Sequence, residues 1–143
     1  MFQYVECLDA NEFLVVASEN KLHLERGSMM NTVKQSTTGP EYDFKSILVY
    51  ADGKCCAVGC VIKRRPMAEY KLALYVTGWL RGMGIGSELV KRLKELVGSS
   101  PVHCFPWDGR SISFYRMCLA KNIVTLDNFQ GYERRLVIDS CVT

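Results

Sequence analysis

Between residues 81 and 88 the chain reads Arg-Gly-Met-Gly-Ile-Gly-Ser-Glu, with glycine at positions 82, 84 and 86. Glycines at this density leave a run of backbone N–H groups that no side chain screens. Directly downstream, Leu89, Val90, Leu93, Leu96 and Val97 recur at the spacing of one helix face. A glycine-rich loop that feeds a helix N-terminus can hold an anion, because unpaired N–H groups and the positive end of the helix dipole point to the same place. A connection made only for flexibility explains these glycines poorly, since each costs chain entropy on folding. The chemistry suggested is phosphate binding.

Several phosphate cradles compete for this loop. A Walker-type loop needs a Lys-Ser/Thr pair after its last glycine, and Ser87-Glu88 stands there instead. A dinucleotide fingerprint fits Gly82 and Gly84 but meets Ser87 where its third glycine belongs. Asp108 lies near the distance expected of a ribose-binding acid, so nucleotide binding stays open as an alternative. Against it, the strands before the loop read as a hairpin rather than a parallel pair.

The elements that must position the loop follow from pattern and punctuation. Asp9-Ala10-Asn11-Glu12 has capping-box spacing and predicts a helix to about Arg26, stopped by Gly27. Ser28 caps a second, shorter helix through Lys34, and residues 35–43 form a loop broken at Gly39-Pro40. Two strands, beginning near Phe44 and joined at Asp52-Gly53, form a tight hairpin that Pro66 ends. Residues 69–77 make a third strand, with Leu72, Leu74 and Val76 on one face and Lys71, Ala73 and Tyr75 on the other. After the glycine loop and its helix, residues 102–106 form a short strand. Asp108 caps a helix carrying Ile112, Phe114, Tyr115, Cys118 and Leu119, and two last strands lie between Ile123 and Ile138. The expected class is α+β, with one parallel crossover.

Composition bounds the rest. At 143 residues, 48% hydrophobic and 23% charged, residues 1–143 are expected to form one soluble domain. A net charge of +3 gives no strong nucleic-acid signal. No apolar run approaches membrane-spanning length and MFQYVECLD is unlike a signal peptide, so a cytoplasmic location is the expectation. The cysteines at 7, 55, 56, 60, 104, 118 and 141 form no CxxC pair, and His23 and His103 are far apart. No metal site is expected; buried free thiols fit better. His103 and Cys104 are adjacent on a strand and face opposite ways, so both are read as core. Lys63-Arg64-Arg65 is read as a solvated strand end that could instead meet an acidic substrate or an outlying phosphate. Trp79 and Trp107 are candidates for a cleft wall or for packing.

Arg81-Gly82-Met83-Gly84-Ile85-Gly86 resembles the (Arg/Gln)-x-x-Gly-x-(Gly/Ala) signature of the GNAT acetyltransferase superfamily, with Arg81, Gly84 and Gly86 at its defined positions. Leu74-Tyr75-Val76 is similar to the family's strand end before the loop. Asp108, Ser111, Ile112, Phe114 and Tyr115 resemble its Asn-x-x-Ala-x-x-Phe-Tyr helix, with Asp for Asn and Ser for Ala. The specific motifs fall within residues 69–122, and the element order matches over about 44–138.

The resemblance implies an acyl-CoA N-acyltransferase fold: a central mixed, mostly antiparallel sheet flanked by helices. It implies acetyl-CoA as cosubstrate, its pyrophosphate held by backbone N–H groups of Gly82, Met83, Gly84, Ile85, Gly86 and Ser87, with Arg81 adding charge or ordering the loop. The pantetheine arm would pair with the backbone of Tyr75 and Val76, and the Val76 amide would also serve the carbonyl oxygen. The implied reaction is direct acetyl transfer to a primary amine of a small molecule or protein. Tyr115 takes the family's general-acid position. Glu69 is the only acid near the family's general-base position, although strict counting puts Tyr70 there, so Glu69 would need a bulge to enter the site. A non-catalytic member of the same fold, binding acyl-CoA or serving as an interaction module, is the alternative; the departures at Asp108 and Ser111 speak for it. A homodimer is compatible with everything above.

Overall fold

A computed structural model describes residues 1–22, 33, 34, 37, 39, 41–77, 82–104, 114, 117, 125–127 and 135–138. The expectations for His23, Trp79, Arg81, Trp107, Asp108, Ser111, Tyr115, Cys118 and Cys141 lie outside the described residues. So does nearly all of the short helix expected from Ser28, of which only Val33 and Lys34 are described, both helical.

The chain opens with a strand, β1 (Phe2–Cys7), that the pattern reading did not anticipate. It pairs antiparallel with β2 (Tyr42–Ala51) from Phe2↔Ala51 to Cys7↔Ser46. Phe2 and Tyr4 lie against the core on one face while Val5 is exposed, so the period of two is present but short.

Helix α1 (Ala10–Glu19) starts where its cap predicts: the Asp9 carboxylate accepts from the amides of Asn11 at 2.9 Å and Glu12 at 3.5 Å. Its end corrects the sequence expectation of Arg26. The amide of Leu22 donates to the Ala17 carbonyl at 2.8 Å and that of Lys21 to Ser18 at 3.2 Å, with Lys21 at φ 55°. This is a Schellman stop with lysine in the left-handed position glycine usually fills. Leu22, its hydrophobic follower, is buried.

The hairpin is as expected: Asp52 (φ 51°) and Gly53 (φ 77°) form a turn with both central residues at positive φ between β2 and β3 (Lys54–Arg64). β4 (Tyr70–Val76) pairs antiparallel with β3, from Ala57↔Val76 to Ile62↔Lys71. Helix α2 (Ile85–Val97) then crosses to β5 (Val102–Cys104), which is parallel to β4. β6 (Thr125–Asp127) and β7 (Arg135–Ile138) complete a seven-stranded sheet in the order β1-β2-β3-β4-β5-β7-β6.

Each face of the sheet carries its own core. Leu72, Leu74 and Val76 face α2 and pack with Ile85, Leu89, Val90 and Leu93, joined by Phe114 and Met117. Ala73 and Tyr75 face the other way, toward Phe13 and Ala17 of α1 and toward Leu48, Val58 and Cys60. The alternation expected in β4 therefore sorts its side chains between α1 and α2. Five cysteines (Cys7, Cys55, Cys56, Cys60 and Cys104) are buried free thiols. Among the described residues no helix is long and apolar enough to cross a membrane.

Candidate active site

The glycine loop enters α2 through Gly84, its N-cap, at φ 80°; Gly82 is also left-handed at φ 88°. Such a φ costs any residue with a β-carbon roughly 1–2 kcal/mol. Gly84 provides no side-chain cap, and the first helical bond runs from the Glu88 amide to the Gly84 carbonyl at 3.1 Å. The amides of Ile85, Gly86 and Ser87 thus belong to the first turn, where a helix offers N–H groups that its own carbonyls do not take. Among the described residues, nothing beyond the adjoining chain lies within 4 Å of where a β-carbon on Gly82 or Gly84 would sit. The first-turn amides and the positive dipole end coincide there, which fits a diphosphate group.

The other residues expected in this cradle divide by role. The Ile85 side chain is buried in the core and Met83 is 59% exposed, so each would contribute its amide rather than its side chain. The Ser87 hydroxyl faces the Met117 sulfur at 3.9 Å. Gly86 has a separate reason to be glycine, because its missing β-carbon would stand 2.7 Å from the Phe114 ring.

The strand before the loop supplies a second feature. Among the described residues the parallel ladder of β4 with β5 pairs Tyr70↔Val102 and Lys71↔His103, and β4 runs on to Val76. Two bonds fix which way its peptide groups point. The Tyr70 amide donates to the Pro101 carbonyl at 2.9 Å on the β5 side, and the Thr77 amide to Cys56 of β3 at 3.1 Å. Peptide direction alternates along a strand, so Leu74 and Val76 turn their amides and carbonyls toward the β5 side. Tyr75, opposite Val58, turns its own toward β3. Tyr75 was expected beside Val76 as a backbone partner of the arm. The register gives that direction to Leu74.

Near the start of β4 stand two residues that the sequence separates by more than thirty positions. The His103 Nδ1 lies 3.2 Å from the Glu69 Oε2, with the side chains 15% and 37% exposed. Tyr70 begins the strand and buries its side chain on the α2 face, 6% exposed, leaving Glu69 just ahead of it. Burial first, and the Lys71 cation second, hold the His103 pKa below its ordinary 6.5. His103 was read from sequence as core. Its signal is invisible there, because only the parallel register sets it beside Lys71.

The α2–β5 connection is fastened by a lysine. Lys94, 6% exposed, donates to the Gly98 carbonyl at 2.6 Å and the Ser100 carbonyl at 2.8 Å, just ahead of the Pro101 carbonyl that receives the Tyr70 amide. At the far end of the sheet, the start of α1 and the ends of β2 and β3 line a polar cavity of about 490 Å³ that includes Asp9, Asn11, Asp43 and Arg65. There Arg65 bonds Asp43 and holds its carboxyl below the usual range. Because β4 runs antiparallel to β3, this cavity is remote from the N-terminus of α2.

A mixed sheet with one parallel strand pair, joined by a helix that a glycine loop enters, is the arrangement of the acyl-CoA N-acyltransferase fold. The sequence profile described as the Acetyltransferase (GNAT) family matches residues 10–118, and the chain belongs to that family. No curated protein matches the sequence. Among solved structures, the GNAT domain of S. lividans PAT is similar at TM-score 0.62 and 17% identity, over 96% of this chain and 89% of that one. PaiA N-acetyltransferase from Thermoplasma acidophilum, in complex with coenzyme A, gives 0.61 and 13%, covering 97% and 99%. The ribosomal-protein-S18-alanine N-acetyltransferase from Escherichia coli gives 0.60 and 15%, covering 100% and 97%. At these identities the likeness is one of fold.

Proposed function

We propose that this chain is an N-acetyltransferase that passes the acetyl group of acetyl-CoA directly to a primary amine of a small molecule or protein. The observation that carries the reading is α2, entered through a left-handed Gly84 after a strand whose Leu74 and Val76 peptide groups face the β5 side. Bound acetyl-CoA would supply the thioester and its thiolate leaving group; the remaining work falls to the chain.

Amides of residues 82–87, with Arg81, hold the diphosphate. Leu74 and Val76 orient the arm through peptide groups directed at the β5 side, and the Val76 amide can donate to the carbonyl oxygen as negative charge gathers on it. Tyr115 is assigned the proton that the departing sulfur requires. Glu69 is assigned the proton that the amine must lose, whose pKa in water is about 10.4 when lysine-like.

The test is thiol release from acetyl-CoA in the presence of polyamine, free amino-acid and peptide amines. Turnover with at least one of them is expected. Stabilisation by coenzyme A without turnover on any would make the chain a binding module; stabilisation by NAD or ATP but not coenzyme A would make it a nucleotide-binding protein.

A further inference from the structure

We propose that β1 is the docking surface for a second copy of this chain: two β1 strands pair antiparallel about a two-fold axis at Val5 and join the two sheets into one. The inference does not depend on the acetyl-transfer reading. β1 stands at one end of the strand order, and among the described residues no strand lies on its outer side. The direction of its peptide groups follows strand by strand. Tyr75 turns its own to β3 at Val58, so Ala57 and Gly59 turn theirs to Val49 and Ile47 of β2. The Arg65 amide, which donates to the Glu41 carbonyl at 2.6 Å, keeps the same alternation. Leu48 and Ser46 then turn to Val5 and Cys7, which leaves Tyr4 and Glu6 with amides and carbonyls directed off the edge. Sheet edges are usually blunted by a bulge, a proline, a lysine or brevity. Phe2–Cys7 pairs with β2 residue for residue and holds neither proline nor lysine. It is 6 residues long, against 3 for β6 at the other end of the sheet.

Charge complementarity selects a second copy as the occupant. A two-fold axis normal to the sheet keeps each face on its own side, so only residues of one face can oppose each other. Val5, which is exposed, shares with Leu48 the face opposite α2. Tyr4 and Glu6 share the α2 face with Val49 and Ile47. With Val5 against Val5 at the axis, Tyr4 of each copy lies opposite Glu6 of the other, and each such pair exchanges its outward main-chain hydrogen bonds. The Arg92 guanidinium lies 4.3 Å from the centre of the Tyr4 ring, with its Nε bonded to Glu88 at 2.9 Å. Glu6 of the second copy thus arrives beside a cation, and the symmetry repeats the pair. Shifting the axis by one residue sets either Glu6 against Glu6, or Tyr4 against Tyr4 with the two Arg92 groups approaching each other. Like charges opposed across strands are destabilising, so the Val5 register is the one that the charges favour. It also covers the exposed Val5 side chain with its own copy.

The experiment is sedimentation of the full chain beside its variants. One strand pair is a small interface, so the parent should show a reversible monomer–dimer equilibrium in the micromolar range. Val5→Lys opposes two ammonium groups at the axis, and Glu6→Lys sets a cation against Arg92 of the other copy. Each should weaken association by about tenfold or more, counted over both symmetric contacts, with the thermal melt of the monomer unchanged. Arg92→Gln placed in the Glu6→Lys background should recover part of the loss. Opposed Val5 residues form a non-hydrogen-bonded pair with Cα atoms about 4.5 Å apart, within disulfide reach, so oxidised Val5→Cys should give a covalent dimer that the parent does not. A parent monomeric throughout that range overturns the proposal, as does a dimer indifferent to both lysine substitutions, which would lie on another surface. A loss in Glu6→Lys that Arg92→Gln leaves untouched overturns the Val5 register. If the lysine variants fail to fold, Val5→Cys decides alone: absence of the covalent dimer overturns the proposal.

Discussion

A β-carbon on Gly86 would stand 2.7 Å from Cε1 of Phe114 and 3.0 Å from its Cζ. Gly86 lies in the first turn of α2, where helix propensity alone would make alanine better by about 0.5–1 kcal/mol. Overpacking against an aromatic ring costs about 1–3 kcal/mol, so the contact decides the sign. Gly86→Ala should destabilise the protein in urea denaturation, and Phe114→Leu should relieve part of the loss, giving a less than additive double variant.

Gly84 is glycine for a different reason, and its variants should behave differently. Among the described residues a β-carbon there meets nothing within 4 Å beyond the adjoining chain, so the expected stability cost is that of a side chain at φ 80°. Gly84→Val should lose about 1–2 kcal/mol of stability but weaken coenzyme A binding at least tenfold, because its methyls fill the space the diphosphate needs. Calorimetric titration beside thermal melting separates the two effects.

Tyr115→Phe should slow turnover about a hundredfold or more while leaving coenzyme A affinity nearly unchanged. Steady-state kinetics beside direct binding measures the split. Equal loss of both would make Tyr115 a packing residue.

Lys94→Met should cost about 1.5–3 kcal/mol, the range for hydrogen bonds to a charged donor. It removes the donor shared by the Gly98 and Ser100 carbonyls. Because that donor fastens the entry to β5, the expected signature in hydrogen exchange is faster opening around residues 98–104 than in α1.

Much of the architecture was legible in the chain, for reasons that were local. Asp52-Gly53 carries its turn in two residues, and β4 alternates cleanly enough to assign each side chain a face. What was missed depends on geometry that no short window holds. α1 stops at Lys21, a residue without glycine's freedom, because the turn closes on Ala17 and Ser18 and buries Leu22. β1 offers too few alternations to stand out. The glycine loop stood out by its spacing, yet the separate packing role of Gly86 needed Phe114 in place. Glu69 and His103 meet only through the β4–β5 register. The alternation along β4 turns the peptide groups of Leu74 rather than Tyr75 toward the β5 side.

The depressed pKa of His103 has a consequence for stability. The folded ring stays neutral below pH 6.5, where the unfolded chain takes up a proton. Stability should therefore fall as pH drops from about 6.5 toward the folded value and level off beneath it. His103→Gln should flatten that limb of a plot of unfolding free energy against pH.

The central claim is that main-chain amides at the start of α2 hold a diphosphate. Its most direct test is calorimetric titration of the protein with coenzyme A and, separately, with pantetheine, which lacks the diphosphate. Binding of coenzyme A at least a hundredfold tighter than pantetheine, with the difference largely lost in Gly84→Val, is the predicted result. Equal affinity for the two, or an advantage for coenzyme A that Gly84→Val leaves intact, would contradict it.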